Sequence, residues 1–398
     1  MKKESKKPTF KLWEVIVISI ISSLIMSLGT GYIAYRNINN GKQNTSNNKN
    51  LQEFVKSYNQ ILDNYYDNID EAALVDAAIK GMLNYLGDPY TTYLNESSKS
   101  YLTSSLTGTY EGIGVLITKT ENDEFEITTV YDDTPAKEAG IMPGDKIIKI
   151  NDEATDGQTS SSLGALIKES KDSNVKITVK RGEEELTFNV TRKTLYNPAV
   201  SSKIIQQNEK NIGYIELTKF SDTAYEQFNK ELQKLEASKI DSLIIDVRNN
   251  TGGYLNEATK IAELFIEKGK TIYSLENKTK TEVTKDETEE HRTYKVAILM
   301  NESSASASEV LASALKYSYN ATLVGTKSYG KGKVQQTSNL SDGSMIKYTT
   351  ARWLTPEGNC IDGIGLTPDI ENSLPEATEE NQVVEDTQLN AATQFLSN

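Results

Sequence analysis

Two short apolar runs constrain this chain more than anything else in it. "DSLIIDV", ending at Val247, and "YKVAILM", ending at Met300, read as buried strands, and each runs straight into a small, polar loop: "RNNTGG" after the first, "NESSASASE" after the second. Around them lie another strand, "NIGYIELTKF", and two stretches with helical spacing, "SDTAYEQFNKELQKLEAS" and "YLNEATKIAELFIE". Strands alternating with helices imply an α/β core whose reactive loops sit at strand C-terminal ends. The serines before the helical run "EVLASALK" have a bland reading, because serine caps helices and alanine builds them. Their other reading is chemical: one serine is a nucleophile at a helix N-terminus, where backbone N–H groups face a developing oxyanion.

Composition removes several kinds of chemistry. The formal net charge is −13 over 398 residues, so no basic surplus exists to neutralise phosphates and a nucleic-acid partner is not expected. Cys360 is the single cysteine, which excludes an intrachain disulfide and a thiolate metal cluster. His291, the single histidine, lies in the polar run "TKTEVTKDETEEHRTYK" and reads as solvated surface. A Ser-His-Asp triad would have to recruit it from a segment with no apolar flank to hold it rigid, so a lysine base is the stronger option. No cofactor and no metal are expected.

At the N-terminus, "MKKESKKPTFKLWE" carries five lysines, and residues 15–35 then run for 21 residues without a charge. At about 1.5 Å per residue that length matches a hydrocarbon core of about 30 Å. The lysines would stay inside, which predicts a single-pass anchor in the cell membrane with everything after Arg36 outside. A cleaved signal peptide and secretion form the competing reading, although no A-x-A site follows the apolar run. The asparagine-rich residues 36–50 read as a flexible tether.

From Leu51 onward the pattern is helical, with "LQEFVKSYNQILDNYY" and "DEAALVDAAIKGMLNYL" followed by the aromatic turn "GDPYTTYL". No residue in this region is assigned a catalytic role. Next come a strand pair, "GIGVLITKTENDEFEITTVY", the segment "DDTPAKEAGIMPGDKIIKIND", a short helix, "SSSLGALIKES", and a second hairpin, "NVKITVKRGEEELTFNVTR". This order resembles a PDZ domain of the bacterial type, with "AKEAGIMPGDKIIKIN" its most specific stretch. The resemblance implies that Gly112, Ile113, Gly114 and Val115 receive the terminal carboxylate of a peptide that adds a strand to the sheet edge. Leu163, Leu166 and Ile167 would line the groove and favour an apolar C-terminal residue. A glycine hairpin that binds nothing is the plainer alternative.

Four further motifs, "SLIIDVRNNTGG", "LMNESSASASEVLASALK", "GTKSYGKGKVQ" and "TTARWLTPEGNCIDGIGLTPDI", follow in one order. With the PDZ-like module and "GMLNYLGDPYTTYL" before it, the chain from about Leu51 to its end resembles the carboxy-terminal processing, or tail-specific, proteases, which cut polypeptides with a serine-lysine pair. By chemistry alone Ser304, Ser306 and Ser308 remain rivals for the nucleophile; the resemblance selects Ser306. It likewise selects Lys331 as base over Lys327 and Lys333, with Gln335 in support. A lysine near its ordinary pKa of about 10.4 cannot accept a proton readily, so the fold must desolvate it. In an extended segment Lys331, Lys333 and Gln335 would share one face. The resemblance also implies oxyanion donors at Gly252, Gly253 and Ala307. Thr251 stands where the family commonly has proline. Arg181 matches an arginine that couples peptide binding to the active state, and an exposed hairpin charge is its alternative role.

The expected architecture is a multidomain α+β and α/β chain, with a PDZ-like β-rich domain inserted between an N-terminal helical region and a mixed α/β serine-protease core. Its segments are residues 1–14 (basic), 15–35 (anchor), 36–50 (linker), 51–104 (helical), 105–195 (PDZ), 196–370 (protease core) and 371–398 (a packing C-terminal segment). The expected function is a serine endopeptidase cleaving proteins near their C-termini outside the cytoplasm, with PDZ-mediated recognition and gating. The rival is a catalytically inactive peptide-binding scaffold. Expected partners are protein substrates with apolar C-terminal residues and, through the anchor, a membrane; a regulatory protein and a homo-oligomer are left open.

Overall fold

The computed structural model describes residues 48–120, 122–168, 173–196, 198–375 and 385–398. The described residues fall into two compact units, divided after Met82. In the first, helix α1 (Lys49–Asn64) starts at an Asn48 cap whose side chain accepts from the Asn50 and Leu51 amides. Helix α2 (Glu71–Tyr85), whose last three residues belong to the second unit, follows, and Tyr58 donates to Glu71 across the pair at 2.9 Å. The expected anchor, residues 15–35, lies outside the described residues. Among the described residues no helix is long and apolar enough to cross a membrane. The single-pass membrane location is therefore corrected: it rested on the length, the lack of charge and the lysine flank of residues 15–35, and no described helix supports it.

The second unit opens with strand β1 (Thr92–Leu94) and helix α3 (Glu96–Thr107). The PDZ-like module comprises β2 (Thr109–Gly112), β3 (Val115–Lys119), β4 (Phe125–Val130), α4 (Pro135–Ala139), β5 (Lys146–Ile150), β6 (Glu153–Ala154), α5 (Ser160–Lys168), β7 (Asn174–Arg181), β8 (Glu184–Thr191) and β9 (Lys193–Tyr196). Its sheet runs β3-β4-β5-β7-β8, so β3 is a terminal strand, while β2 and β9 pair as a separate two-stranded neck. Inward-facing Val175, Ile177 and Val179 on β7 recur with the two-residue strand period and pack with Phe125, Ile127, Ile147 and Ile150.

The core continues with β10 (Val200–Gln207), β11 (Lys210–Leu217), α6 (Ala224–Ala237), β12 (Ser242–Asp246), α7 (Leu255–Glu263), β13 (Thr271–Glu276), β14 (Thr281–Lys285) and β15 (Lys295–Met300). Then follow α8 (Ala307–Ala314), a π-helical turn over Leu315–Tyr319, β16 (Thr322–Gly325), β17 (Lys333–Asn339), β18 (Met345–Leu354), β19 (Ile370–Glu371) and α9 (Thr387–Ser397). The central sheet runs β10-β11-β12-β15-β16-β19, parallel from β11 onward. Leu243 and Ile245 of β12 face a core shared with Phe228, Leu232, Ile261 and Val310, whereas Ile244 faces Ala392 and Leu396 of α9. Burial of both faces explains why β12 and β15 read as unbroken apolar runs. A second, antiparallel sheet joins β1, β18, β13 and β14, with β17 also on β18. The aromatic turn before α3 thus contributes a strand to this sheet, with Thr92 opposite Lys347 and Leu94 opposite Met345.

Arg181 is not an exposed hairpin charge. Its Nε and Nη2 donate to the two carboxylate oxygens of Asp145 at 2.7 and 2.8 Å, and Nη2 also donates to the Gly140 carbonyl at 2.9 Å. Asp145 is only 1% exposed. Burial would raise its pKa, but the bonds from Arg181 and from the Met142 amide outweigh it, and the carboxyl sits below its ordinary value. A depressed carboxyl stabilises the fold above the unfolded pKa of about 3.9 and loses that contribution as pH falls through the lower, folded value. Arg181→Met leaves a buried, unpaired carboxylate and should cost about 3–5 kcal/mol at pH 7. Hydrogen exchange of β5 and β7 amides measures it. The deficit should shrink as Asp145 becomes protonated in acid; a deficit independent of pH would contradict the clamp.

Candidate active site

Ser306 immediately precedes α8, at the end of the loop that leaves β15. Its φ of 57° and ψ of −116° form a costly backbone geometry for a residue with a Cβ, of the kind that persists only where the surroundings over-determine it. Two observations account for its persistence. The Ser306 amide donates to Glu309 Oε2 at 2.8 Å, and Gly252 lies directly against the serine. A Cβ added to Gly252 would fall 2.8 Å from the Ala305 carbonyl oxygen and 2.9 Å from Ser306 Cβ, so only glycine fits.

The rival serines are turned away. Ser304 and Ser308 are buried; Ser304 Oγ donates to the Val247 carbonyl at 2.7 Å and Ser308 Oγ to the Asn250 carbonyl at 2.8 Å. They do not cap α8, the role that the sequence suggests for serines there, but fasten it to the loop after β12. Asn249 and Asn301 complete the seam: the Asn249 amide donates to Asn301 Oδ1 at 2.9 Å, and Asn301 Nδ2 donates to Asn249 Oδ1 at 2.8 Å.

Ser306 and Lys331 line one cleft of ≈ 810 Å³, together with Gly253, Gln335, Lys219, Lys333 and Lys347. His291 is exposed and is not among the lining residues. Burial pushes the Lys331 ammonium below its ordinary pKa, and repulsion from Lys347 and Lys219 pushes it the same way; Glu309 and Asp88 pull weakly against them. Its Nζ lies 4.9 Å from the centre of the Tyr90 ring. Lys333 is ion-paired instead, 3.3 Å from Asp88 and 3.9 Å from Asp362.

Gln335 lines the same cleft, and its Nε2 donates to Thr349 Oγ1 at 3.2 Å, which in turn donates to Asp88. Lys331, Lys333 and Gln335, expected to share one face, all line the cleft. Lys331 precedes β17, and a bulge between Val334 and Gln335 shifts the register from Ala351 to Thr349. Among the expected oxyanion donors, the Gly252 amide is occupied by Asn250 Oδ1 at 2.9 Å. The Gly253 and Ala307 amides donate to no group among the described residues; Ala307 is the first residue of α8, where amides lack an intrahelical partner.

The PDZ positions separate into core and edge. Val115 begins terminal strand β3, and Gly114 has φ +88° with no room for a Cβ beside Thr134. Ile113 is buried. Leu163 and Ile167, 1% and 7% exposed, belong to the PDZ core and not to an open groove wall, because their four-residue spacing puts both on the inner face of α5; Leu166 is half-buried.

Sequence reasoning missed Glu309, Asp88, Tyr90 and Lys219. Glu309 carried a legible signal, since S-x-x-E at a helix start is a capping-box pattern. Asp88 and Tyr90 sit in the aromatic turn, whose proximity to Lys331 is a property of the fold alone.

Three sequence profiles match in chain order: the activating protease CtpB N-terminal domain at residues 26–98, a PDZ domain at 112–191, and peptidase family S41 at 211–372. The chain is 33% identical over 380 residues to a probable CtpA-like serine protease of Staphylococcus epidermidis, covering 94% of this chain and 76% of that protein. A protein of the same description from Staphylococcus aureus is 35% identical, covering 93% and 75%. In fold, the chain resembles the photosystem II D1 C-terminal processing protease, with a TM-score of 0.51 and 24% identity over 88% of this chain and 92% of that one. Identity above 30% across nearly the whole chain, with three profiles in order on a mixed α/β fold, places this protein in peptidase family S41, among the PDZ-containing C-terminal processing serine proteases that act on protein substrates.

Proposed function

We propose that Ser306 and Lys331 form the serine-lysine pair of an endopeptidase that cleaves proteins near their C-termini. The observation that carries this is their convergence on one cleft, where Ser304 and Ser308 are buried and bonded elsewhere while Lys331 is held below its ordinary pKa. Neutral Lys331 takes the proton of Ser306 Oγ as that oxygen attacks the scissile carbonyl. The developing oxyanion is received by the amides of Gly253 and Ala307, with Gly252 supplying the close approach. The lysine then returns the proton to the leaving amine, and water, deprotonated by the same lysine, hydrolyses the acyl-enzyme. Gln335, held by Thr349, orients the amine of Lys331.

The PDZ module is assigned substrate recognition: a tail with an apolar C-terminal residue adds to the open edge of β3, near Gly112 to Val115. Gating follows if peptide binding biases the module between arrangements. Arg181 contributes to gating by keeping the module rigid through Asp145.

A fluorophosphonate should form one adduct, on Ser306, and Ser306→Ala and Lys331→Ala should each lower kcat by about 10³-fold or more with folding intact. An adduct on Ser304 or Ser308 instead, seen by peptide mass mapping, would sink the assignment. The profile of kcat/KM against pH should rise as Lys331 loses its proton, with a midpoint below the ordinary lysine value of about 10.4. Lys347→Met removes a repelling charge and should move that midpoint upward; an unmoved midpoint would count against Lys331 as base. For gating, turnover of a short reporter lacking a PDZ ligand should increase when a separate apolar-tailed peptide with a free carboxylate is added, and less so in Arg181→Ala protein. Equal turnover despite saturating peptide would leave simple tethering as the better account.

A further inference from the structure

The cleft is charged against the sign of the chain. The protein carries a formal charge of −13, yet four lysines (Lys219, Lys331, Lys333 and Lys347) and no aspartate or glutamate line the cleft. Two of the four are accounted for. Lys333 is paired with Asp88 and Asp362, and Asp88 is securely ionised: burial would raise its carboxyl, but hydrogen bonds from Thr349, Thr91, the Tyr90 amide and Lys333 hold it at about 2. Lys331 is the proposed base.

Lys219 and Lys347 remain. Neither forms an ion pair among the described residues, and both are half-buried. Among the described residues the Lys219 ammonium makes one hydrogen bond, to a neutral group, Thr251 Oγ1, at 3.3 Å. Thr251 is the residue that replaces the proline expected in "RNNTGG", and a proline could not accept that bond. Lys219 follows β11 and Lys347 lies on β18, so separate sheets bring two uncompensated cations to the same cleft as Ser306. A half-desolvated ammonium without a counter-charge is unfavourable until an anion arrives. Burial lowers the pKa of Lys219, in keeping with that cost.

We infer that Lys219 and Lys347 form a carboxylate-binding subsite, so that the preferred peptide carries a negative charge beside the scissile bond. The charge comes from an Asp or Glu side chain or from the substrate's own C-terminal carboxylate; both present the same group to a lysine. This deepens the serine-peptidase reading above and rests on it for the position of the scissile bond. It is separate from PDZ recognition, which involves a different module.

The test is a panel of C-terminally amidated peptides that differ only in carrying Glu, Gln or Lys in the three positions on either side of the cleaved bond. A second pair has a free or an amidated C-terminus three residues beyond it. Each enzyme is assayed on the plateau of its own pH profile, so that changes in the protonation of Lys331 do not enter. Wild-type protein should favour Glu over Gln in kcat/KM by about tenfold, and disfavour Lys. The preference should shrink with added salt, vanish in Lys219→Gln/Lys347→Gln, and survive in Lys219→Arg. Preference for the free terminus, lost in the same double variant, assigns the subsite to the terminal carboxylate; preference for internal Glu alone assigns it to side chains.

Binding of the same peptides, fluorescently labelled, to Ser306→Ala protein reads the subsite without turnover. Lysine-dependent binding of acidic peptides with no cleavage by wild-type protein would overturn the peptidase assignment and keep the subsite. Cleavage with a Glu-to-Gln ratio within twofold, or a ratio unchanged in the double variant, would overturn the subsite and leave the two lysines as charges that only depress Lys331.

Discussion

The buried carboxylate of Glu309 fixes the geometry on which the candidate site depends. It is 1% exposed, and it accepts four hydrogen bonds: Oε2 from the amides of Ser306 and Lys331, at 2.8 and 2.9 Å, and Oε1 from Ser328 Oγ and the Gly330 amide, at 2.6 and 2.7 Å. Burial raises its pKa, and those four bonds oppose the rise. An unbonded carboxylate there would be very costly, so the four donors are as necessary to Glu309 as it is to them. Because one oxygen holds the backbone of both proposed catalytic residues, the start of α8 and the segment before β17 cannot move independently. The same bond helps to hold Ser306 in its costly backbone geometry.

The parallel sheet supplies the frame for this arrangement. Adjacent strands β12 and β15 end side by side, so the loops that leave them emerge together at their C-terminal ends, where α/β folds place ligands. Asn249, Asn250, Asn301, Ser304 and Ser308 join the two loops, and Asn250 Nδ2 reaches the Leu217 carbonyl on β11 at 2.7 Å. On the opposite face, Arg248 lies between Asp246 and Asp386, with contacts of 2.6 and 2.8 Å. Ion pairs of this kind add little net stability, but they set the direction in which the chain leaves β12 and tie it to the base of α9.

Local pattern made much of this visible beforehand. The apolar runs of β12 and β15, the loops behind them and the helical spacing of α6 and α7 are properties of consecutive residues. The resemblance to tail-specific proteases rested on such stretches, and the family assignment agrees with it. Side-chain direction was less legible. Ser304, Ser306 and Ser308 are chemically alike in sequence, and only the fold turns two of them inward and one to the cleft. Leu163 and Ile167 looked like groove lining because they are apolar, but the same spacing buries them in the PDZ core. Lys331, Lys333 and Gln335 reach one cleft beside a bulge whose extra residue lies on β18, a feature that no local residue preference announced.

By itself the sequence determined the order of domains, the strands that cross the core, the peptidase family and the chemical types available to the site. These follow from hydrophobic period, turn chemistry and motif order, all of which act over a few residues. Tertiary structure decided which groups meet. Asp88 and Tyr90 stand beside lysines more than two hundred positions later, Arg181 finds Asp145 beside the neighbouring strand β5, and Lys219 reaches the cleft of Lys347 from another sheet. Burial, the depression of Lys331 and the unpaired charges of the cleft are sums over neighbours brought together by packing, and spacing along the chain does not encode them.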